Sequence, residues 1–169
     1  WSAASCSATL ASENEFPTLV NPHGLDVKYS SSNPSVASID EDGTVTPLGE
    51  GTVTISVTSE ATDEYTAGSA SYTLKVVKCP VSVEWSETTF KAVLEDDHSF
   101  PTLTVSPEII GQAISYTSSN TSAATIDSNG DITLLGTGIT TISATFAGDD
   151  IYRSASASFT LVVTSGADD

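Results

Sequence analysis

The chain contains much of its sequence twice, and this internal repeat limits the possible folds more than any other feature. Residues 29–76 align with residues 116–163 at a constant offset of 87, and 25 of the 48 aligned pairs are identical. Upstream, the match continues at an offset of 84, beginning with Trp1 and Trp85. The second copy therefore carries a longer loop between its two matching segments. A repeat of this length indicates two similar domains rather than one composite fold.

The repeat divides the 169 residues into two units of about 80 residues each, a size at which small domains fold on their own. We expect a first domain over residues 1–78 with a truncated opening strand, a second domain over 79–165, and a polar tail over 166–169. A short linker, Lys78-Cys79-Pro80, joins the two. Because the chain starts partway into its first expected strand, we expect it to be a fragment of a larger protein.

Apolar residues alternate with Ser and Thr at a period of two, which predicts strands rather than helices. The dipeptides Asp42-Gly43 and Asn129-Gly130 predict hairpins, since tight turns favour Asn or Asp followed by Gly. The clearest alternating sets are Val53, Ile55 and Val57; Tyr72, Leu74 and Val76; Ile142, Ala144 and Phe146; and Phe159, Leu161 and Val163. In the second copy, the predicted strands lie near 81–87, 89–94, 99–106, 113–118, 123–127, 131–135, 139–146 and 155–163, and the first two form one broken edge strand.

Both copies share a characteristic pattern of residues in their central part. In the first copy it comprises Tyr29-Ser-Ser-Ser-Asn33, Ile39-Asp40-x-x-Gly43 and Leu48-Gly-x-Gly51-Thr-x-Thr-Ile55, and the second copy repeats it from Tyr116 to Ile142. This pattern resembles the bacterial immunoglobulin-like domain, group 2. In many members an aromatic residue, often Trp, fills the position of Tyr29 and Tyr116, so Tyr is a mild departure.

The resemblance implies an all-β fold class, two tandem immunoglobulin-like β-sandwiches joined by a short linker. It also implies an extracellular or bacterial cell-surface location, because such domains occur in adhesins of the intimin and invasin type and as spacers beside carbohydrate-active modules. It implies no catalysis and transfers no binding residues, because the shared motif is structural.

The charge of the chain excludes several classes of partner. The sequence has 22 acidic and 5 basic residues, for a net charge of −17. A nucleic-acid partner is not expected because the basic surface that it needs is missing. Anionic lipid would be repelled, and the sequence has no transmembrane run, so no membrane insertion is expected. A strongly acidic surface favours a soluble monomer.

Acidic residues cluster in the expected loops, and one cluster has the spacing of a calcium site. Asp127-x-Asn129-Gly130-Asp131 places oxygen ligands at i, i+2 and i+4, but it lacks the bidentate Glu that closes an EF-hand loop. A hairpin turn also favours Asp, Asn and Gly at these positions, and a turn is the favoured interpretation of this stretch. We therefore expect no metal and no cofactor, with a cation held between the two domains as an open alternative. The other clusters are Asp40-Glu41-Asp42, Asp63-Glu64, Glu95-Asp96-Asp97 and Asp149-Asp150.

The aromatic residues are expected to build the two cores. Ten of the twelve pair across the copies, and each large ring buries 150–250 Å² in a typical core. Trp1 and Trp85 lie on edge strands and are the best candidates for partial exposure, although packing is favoured for both.

The cysteines and histidines do not form a recognisable reactive site. Cys6 aligns with Phe90 and is expected to be a small core residue. A disulfide between Cys6 and Cys79 is an alternative, but unpaired thiols are favoured. His23 and His98 lie in loops without metal-ligand spacing. No nucleophile elbow or catalytic pair is found, and Lys75 is expected to face outward rather than form an internal isopeptide bond. The sequence predicts no enzyme.

Two functional hypotheses follow. The first is a non-catalytic spacer of a bacterial surface or secreted protein, with other domains of the same parent protein as its partners. The second is a module for cell adhesion or carbohydrate binding, with a host surface protein or a glycan as its partner. The second hypothesis requires a distinctive loop in one copy. The only candidate is Val105–Gln112, in which Ile109 and Ile110 would have to be exposed.

Overall fold

The computed structural model describes residues 1–108 and 113–166, and its architecture is all-β. It separates into two compact units: Trp1–Cys79 with Asp150–Tyr152, and Pro80–Asp149 with the residues from Arg153 onward. The strands in the described residues are β1 (Ser5–Thr9), β2 (Val27–Ser31), β3 (Ala37–Ile39), β4 (Val45–Pro47), β5 (Gly51–Ser59), β6 (Gly68–Val77), β7 (Ser82–Trp85), β8 (Thr89–Val93), β9 (Leu103–Ser106), β10 (Ile114–Ser118), β11 (Ala124–Ile126), β12 (Ile132–Leu134), β13 (Gly138–Phe146) and β14 (Ala155–Thr164).

The first unit is built on a four-stranded sheet in the order β1-β6-β5-β2. Strand β1 runs parallel to β6, and the other neighbours are antiparallel. The hairpin β3-β4 supplies the opposite layer, since Ala37 and Val45 belong to the same buried cluster as Ile55 and Leu74. Burying one Val, Ile or Leu side chain stabilises the folded state by about 1.5–3 kcal/mol. The alternation read from the sequence is thus the inward face of a β-sandwich.

The second unit repeats this plan with the sheet order β10-β13-β14-β8 and the hairpin β11-β12. Its core contains Ile142, Phe159, Leu161 and Val163, and strand β8 runs parallel to β14 as β1 does to β6. The unit also contains a two-stranded ladder, β7-β9. The predicted fold class, two tandem immunoglobulin-like β-sandwiches, is confirmed.

The two predicted hairpins form where the sequence places them. In the first unit, Ile39 pairs with Val45, and Gly43 has a φ of 84° that L-residues seldom adopt. Gly130 has the corresponding φ of 87°. The connections are longer than a two-residue turn, because the whole segment 40–44 lies between the paired residues. A cross-turn bond from Asp40 N–H to the carbonyl of Thr44 (3.1 Å) closes the first of them.

Three details differ from the sequence prediction. The predicted broken edge strand is divided between two sheets, because β7 pairs with β9 whereas β8 pairs with β14. Strand β9 begins at Leu103 rather than at residue 99. The segment Leu19–Pro22 of the first unit aligns with β9 but forms no strand. A strand exists only where a neighbour completes its hydrogen-bonded ladder, and local sequence does not reveal that neighbour.

Candidate functional site

A groove of about 210 Å³ lies on the first unit, where β5 ends and β6 begins. One side is formed by the segment Leu19–Leu25, which connects β1 to β2. The other side is formed by the sheet itself, including the register partners Val57 and Ala70. The groove therefore opens onto the inward face of the sheet, at the end that the core does not cover.

The repeat explains why this end of the first unit is open. Ser59 is the last inward-facing position of β5, and the equivalent position of β13 is Phe146, which is only 3% exposed. On the neighbouring strand, Gly68 and Ala70 are exposed, whereas their counterparts in the second unit are half-buried. A small residue thus stands in the first unit where a ring fills the second.

The rings of His23 and Tyr65 form a stacked pair next to the groove. Their centroids are 4.7 Å apart at an interplanar angle of 29°, and the Tyr65 hydroxyl lies 3.2 Å from His23 Nδ1. Tyr65 is held by Thr62, whose Oγ1 accepts a hydrogen bond from the Tyr65 N–H at 3.0 Å. Tyr65 is 37% exposed. The pair presents a flat aromatic surface to solvent, which suits contact with a partner.

Sequence reasoning missed this pair. The two residues are separated by 42 positions, and His23 has no histidine counterpart in the second copy. The alignment of Ser59 with Phe146 could have indicated the groove next to this pair. An inward position that is large in one copy and small in the other predicts a gap in the copy with the small residue. Apart from the imidazole of His23 and the amide of Asn21, the lining of the groove is apolar or carries hydroxyl groups.

Trp1 and Trp85 pack against aromatic residues of their own units, as expected. Trp1 meets Tyr72 edge-on at 4.8 Å, and Trp85 meets Phe159 in the same way at 4.9 Å. Both indoles are half-buried. They differ in one respect: Trp85 Nε1 donates to the carbonyl oxygen of Ala157 at 3.2 Å, whereas Trp1 Nε1 is buried without an acceptor among the described residues.

The carboxylate of Asp127 organises its own turn. Its Oδ1 accepts hydrogen bonds from the backbone N–H groups of Asn129 (2.8 Å) and Asp131 (2.9 Å). The bonds from Asp131 and Asn129 hold the pKa of this carboxyl below its usual range. Asp40 makes the equivalent bonds in the first unit, to the N–H groups of Asp42 and Thr44. This geometry is that of an Asx turn, in keeping with the favoured interpretation of the sequence.

Within residues 1–108 and 113–166, no group of three or more His, Cys, Asp or Glu side chains is arranged to hold a metal ion. Of the acidic clusters named from sequence, Asp40-Glu41-Asp42 lies in the β3-β4 turn and Glu95-Asp96-Asp97 in the turn after β8. Asp63-Glu64 precedes the exposed Tyr65.

His98 closes the turn that follows β8. Its Nε2 lies 3.0 Å from the backbone nitrogen of Val93 and 2.8 Å from the Val93 carbonyl oxygen. In the first unit, Asn14 takes this position and bonds both backbone groups of Thr9, each at 2.9 Å. The histidine is thus a structural closure of its turn.

Neither cysteine of the chain is in a disulfide. Cys6 packs against the first core from β1, as its alignment with Phe90 predicted, and its thiol lies 3.3 Å from the carbonyl oxygen of Glu15. Cys79 is half-buried at the junction. Lys75 is exposed on β6 and faces outward as expected.

The loop Val105–Gln112 is only partly described. Val105 and Ser106 belong to β9, whereas Ile109 and Ile110, on which the adhesion hypothesis depended, lie outside the described residues. No helix among the described residues is long and apolar enough to cross a membrane.

Comparisons with known proteins agree with the resemblance read from the sequence. The family described as "Intimin, immunoglobulin-like domain" matches residues 26–62 and 111–148, which are corresponding parts of the two copies. The resemblance to bacterial immunoglobulin-like domains is thereby confirmed, with the intimin domain as the family that matches. No curated protein sequence matches the chain.

Several solved structures are similar to the chain at low identity. The S-layer protein SbsC is 18% identical over 86% of this chain and 21% of that one, with a TM-score of 0.46. Drosophila N-cadherin EC1-4 is 15% identical over 95% and 47%, with a TM-score of 0.37. A SusE-like surface located polysaccharide binding protein from Bacteroides thetaiotaomicron is 15% identical over 94% and 33%, with a TM-score of 0.36. The chain spans about one fifth of the length of the S-layer protein. The chain is thus a tandem of two immunoglobulin-like β-sandwiches that resemble the bacterial immunoglobulin-like domain of intimin.

Proposed function

We propose that this chain is a non-catalytic spacer of a bacterial cell-surface or secreted protein, and that it projects or braces another domain of the same parent protein. The observation that carries the proposal is that the hydrogen bonds fixing each fold recur in both copies. Ser31 Oγ donates to the carbonyl of Ala37 at 2.6 Å, and Ser118 Oγ donates to the carbonyl of Ala124 at the same distance. Duplication has kept the interactions that hold the sandwich.

The two Asx turns support the same conclusion. Asp40 and Asp127 each order a hairpin through two backbone N–H groups. In both units, the turn glycine lies under a tyrosine ring, Gly43 under Tyr29 and Gly130 under Tyr116. When the shared residues are those that shape turns and cores, a folded body of fixed dimensions is the property retained.

The family match supports a cell-surface location for the chain, and its acidic charge supports the expectation that it has no nucleic-acid partner. The match to the intimin domain favours an extracellular or cell-surface protein. A net charge of −17 favours a monomer that resists aggregation in an exposed setting. We propose the domain limits 1–78 and 79–165 for the two spacer units.

An epitope-display experiment tests the spacer role. The chain is placed between a bacterial surface anchor and an epitope, and antibody binding is compared with a Gly-Ser linker of the same 169 residues. We expect the tandem to give higher accessibility, because a flexible Gly-Ser chain, whose r.m.s. span is about 5–6 Å × √n, also samples collapsed conformations that return the epitope to the cell surface, whereas folded sandwiches keep their dimensions. The double variant Ile55→Asp and Ile142→Asp, which places a charge in each core, should lose the advantage. Equal accessibility for the tandem and the linker would overturn the proposal.

A second candidate, recognition of a glycan or host protein, is favoured by the exposed Tyr65–His23 pair alone. Flat aromatic surfaces on loops are common in recognition sites. Binding of the purified tandem to a glycan and matrix-protein array, with and without calcium, tests it. A saturable signal that the variant Tyr65→Ser abolishes would support recognition by this pair. Silence at tens of micromolar would exclude it for the ligands on the array.

A further inference from the structure

We infer that the open edge of the segment Leu19–Pro22 in the first unit binds an additional β-strand. This strand is continuous in the same chain with Trp1 and carries an apolar residue two positions before Trp1. The second unit contains the matching arrangement, since Ser82–Trp85 pairs with Leu103–Ser106. The inference goes beyond the spacer role, because it assigns the groove of the first unit to a specific kind of occupant.

The hydrogen bonds next to this edge are the same in both units. Ser2 N–H donates to the carbonyl of Thr18 at 2.8 Å, and the Thr18 N–H donates to Ser2 Oγ at 2.9 Å. In the second unit, Ser86 and Thr102 make the same two bonds, at 2.9 and 3.0 Å. The register of the edge is therefore set identically before the two units diverge.

Beyond this point only the second unit continues the ladder, through four residue pairs from Trp85 with Leu103 to Ser82 with Ser106. In the described residues of the first unit, no backbone hydrogen bond engages Leu19 or Val20. Because hydrogen-bonded pairs alternate along antiparallel strands, Val20 is the next residue whose N–H and C=O face the open edge. Pro22 lacks an N–H and is at home on such an edge.

The groove lies where the added strand would pack. In the second unit, Val83 is 7% exposed and its strand lies over β14, whose residues Ala155 and Ala157 are half-buried. In the first unit, the counterparts of these two alanines, Gly68 and Ala70, are exposed and line the groove. An apolar side chain in the register of Val83 would cover them.

The indole of Trp1 points to the same occupant. Trp85, which ends strand β7, donates from Nε1 to the carbonyl oxygen of Ala157, whereas the buried Nε1 of Trp1 has no acceptor in the part of the chain that the structure describes. The counterpart of Ala157 is Ala70. We expect the added strand to align the indole so that Trp1 Nε1 donates to the Ala70 carbonyl. A small ligand in the groove would leave both the Val20 backbone groups and this donor unpaired, so a strand fits better.

The test adds the four residues Val-Ser-Val-Glu, a copy of the sequence from Val81 to Glu84, in front of Trp1. A matched control carries Asp in place of the second Val of the extension. Hydrogen exchange of the Val20 amide and the NMR shift of the Trp1 indole N–H are recorded for the extended, control and original chains. We expect the extension to slow exchange at Val20 about tenfold and to shift the indole signal, with little effect in the control.

Two outcomes would overturn the inference: unchanged exchange at Val20 in the extended chain, or equal slowing by the Asp control. A free Val-Ser-Val-Glu peptide at millimolar concentration distinguishes the source of the strand. Protection of Val20 by the free peptide and not by the fused extension would show that the edge takes a strand from another molecule, against the cis assignment. The second unit reports on general folding, since its exchange pattern should be identical in all chains.

Discussion

Asn14 holds both backbone groups of Thr9, its Oδ1 accepting from the Thr9 N–H and its Nδ2 donating to the Thr9 carbonyl, each at 2.9 Å. The second unit performs the same closure with one atom, His98 Nε2, which faces both backbone groups of Val93. A single ring nitrogen either donates or accepts, so it satisfies one of the two groups at a time. An asparagine is therefore the better closure of this turn.

This relationship predicts the effect of exchanging the residues. Asn14→His should destabilise the first unit by about 1 kcal/mol, the net value of the one bond to Thr9 that is lost, since the further bond from Asn14 Nδ2 to the Ser12 carbonyl (3.0 Å) is exposed and adds little. Asn14→Ala should cost more, because it removes both bonds to Thr9. Urea unfolding of the variants measures the difference, with the second unit as internal reference. A destabilisation by His as large as that by Ala would show that neither bond of Asn14 is replaced.

The hydroxyl of Tyr72 predicts a stabilising substitution. Tyr72 is 2% exposed, and its hydroxyl is buried with no hydrogen-bond partner within residues 1–108 and 113–166. The second unit has Phe159 at this position. An unsatisfied buried polar group costs about 1–3 kcal/mol, so Tyr72→Phe should raise the free energy of unfolding of the first unit by about 1 kcal/mol. The reciprocal Phe159→Tyr should destabilise the second unit. A loss of stability in Tyr72→Phe would mean that the hydroxyl has a partner in solution.

The same hydroxyl predicts a pH dependence at high pH. Burial, with a smaller contribution from Cys6, raises the pKa of Tyr72 from 10.0 to about 12. Above the ordinary pKa the unfolded chain loses this proton and the folded chain keeps it, so the unfolded state binds fewer protons and stability falls as pH rises. The first unit should lose stability between pH 10 and about 12, as followed by chemical unfolding at fixed pH. In Tyr72→Phe this part of the loss should disappear, and an unchanged pH profile would contradict the assignment.

Much of the fold was predictable because both copies express it in local patterns. The alternation at Val53, Ile55 and Val57 follows directly from the period of a strand with one buried face. Asp42-Gly43 placed a hairpin because few other residues tolerate the φ of Gly43. The open edge at Leu19–Pro22 was not predictable in this way, since strand formation there depends on a partner. Nor did any local rule connect His23 with Tyr65, which meet only through the tertiary fold.

Thr140 is a buried polar residue whose loss should be tolerated. It is 1% exposed, and its Oγ1 lies 2.7 Å from Ser118 Oγ and accepts from the Asn120 N–H at 2.9 Å. The first unit has Val53 at this position. There the Asn33 N–H donates to Ser31 Oγ instead, at 3.3 Å. We therefore expect Thr140→Val to change the free energy of unfolding by less than about 1 kcal/mol, because Ser118 can serve the freed N–H.

The smaller variant Thr140→Ala is the matched comparison, since it also opens a cavity and should cost at least about 1 kcal/mol more. Both values come from urea unfolding. A large loss in Thr140→Val would show that the second unit has come to depend on its hydroxyl network.

Replacing the turn glycines should be costly in both units, and more so in the first. Gly43 and Gly130 have positive φ values, which strain any L-residue, and a Cβ at either would press on a tyrosine ring. That Cβ would lie 2.9 Å from Tyr29 Cζ in the first unit but 3.2 Å from Tyr116 Cζ in the second. The left-handed conformation alone costs about 1–2 kcal/mol for alanine, and the closer ring adds to this in the first unit. Gly43→Ala should therefore lower the thermal midpoint of its unit more than Gly130→Ala lowers that of the other, as calorimetry of the two single variants would measure.

Combining Gly43→Ala with Tyr29→Ala separates the two contributions: removing the ring should cancel the additional cost and leave the backbone strain. If the two costs simply added in the double variant, the ring would have no part in the sensitivity of this turn, and φ alone would account for the glycine.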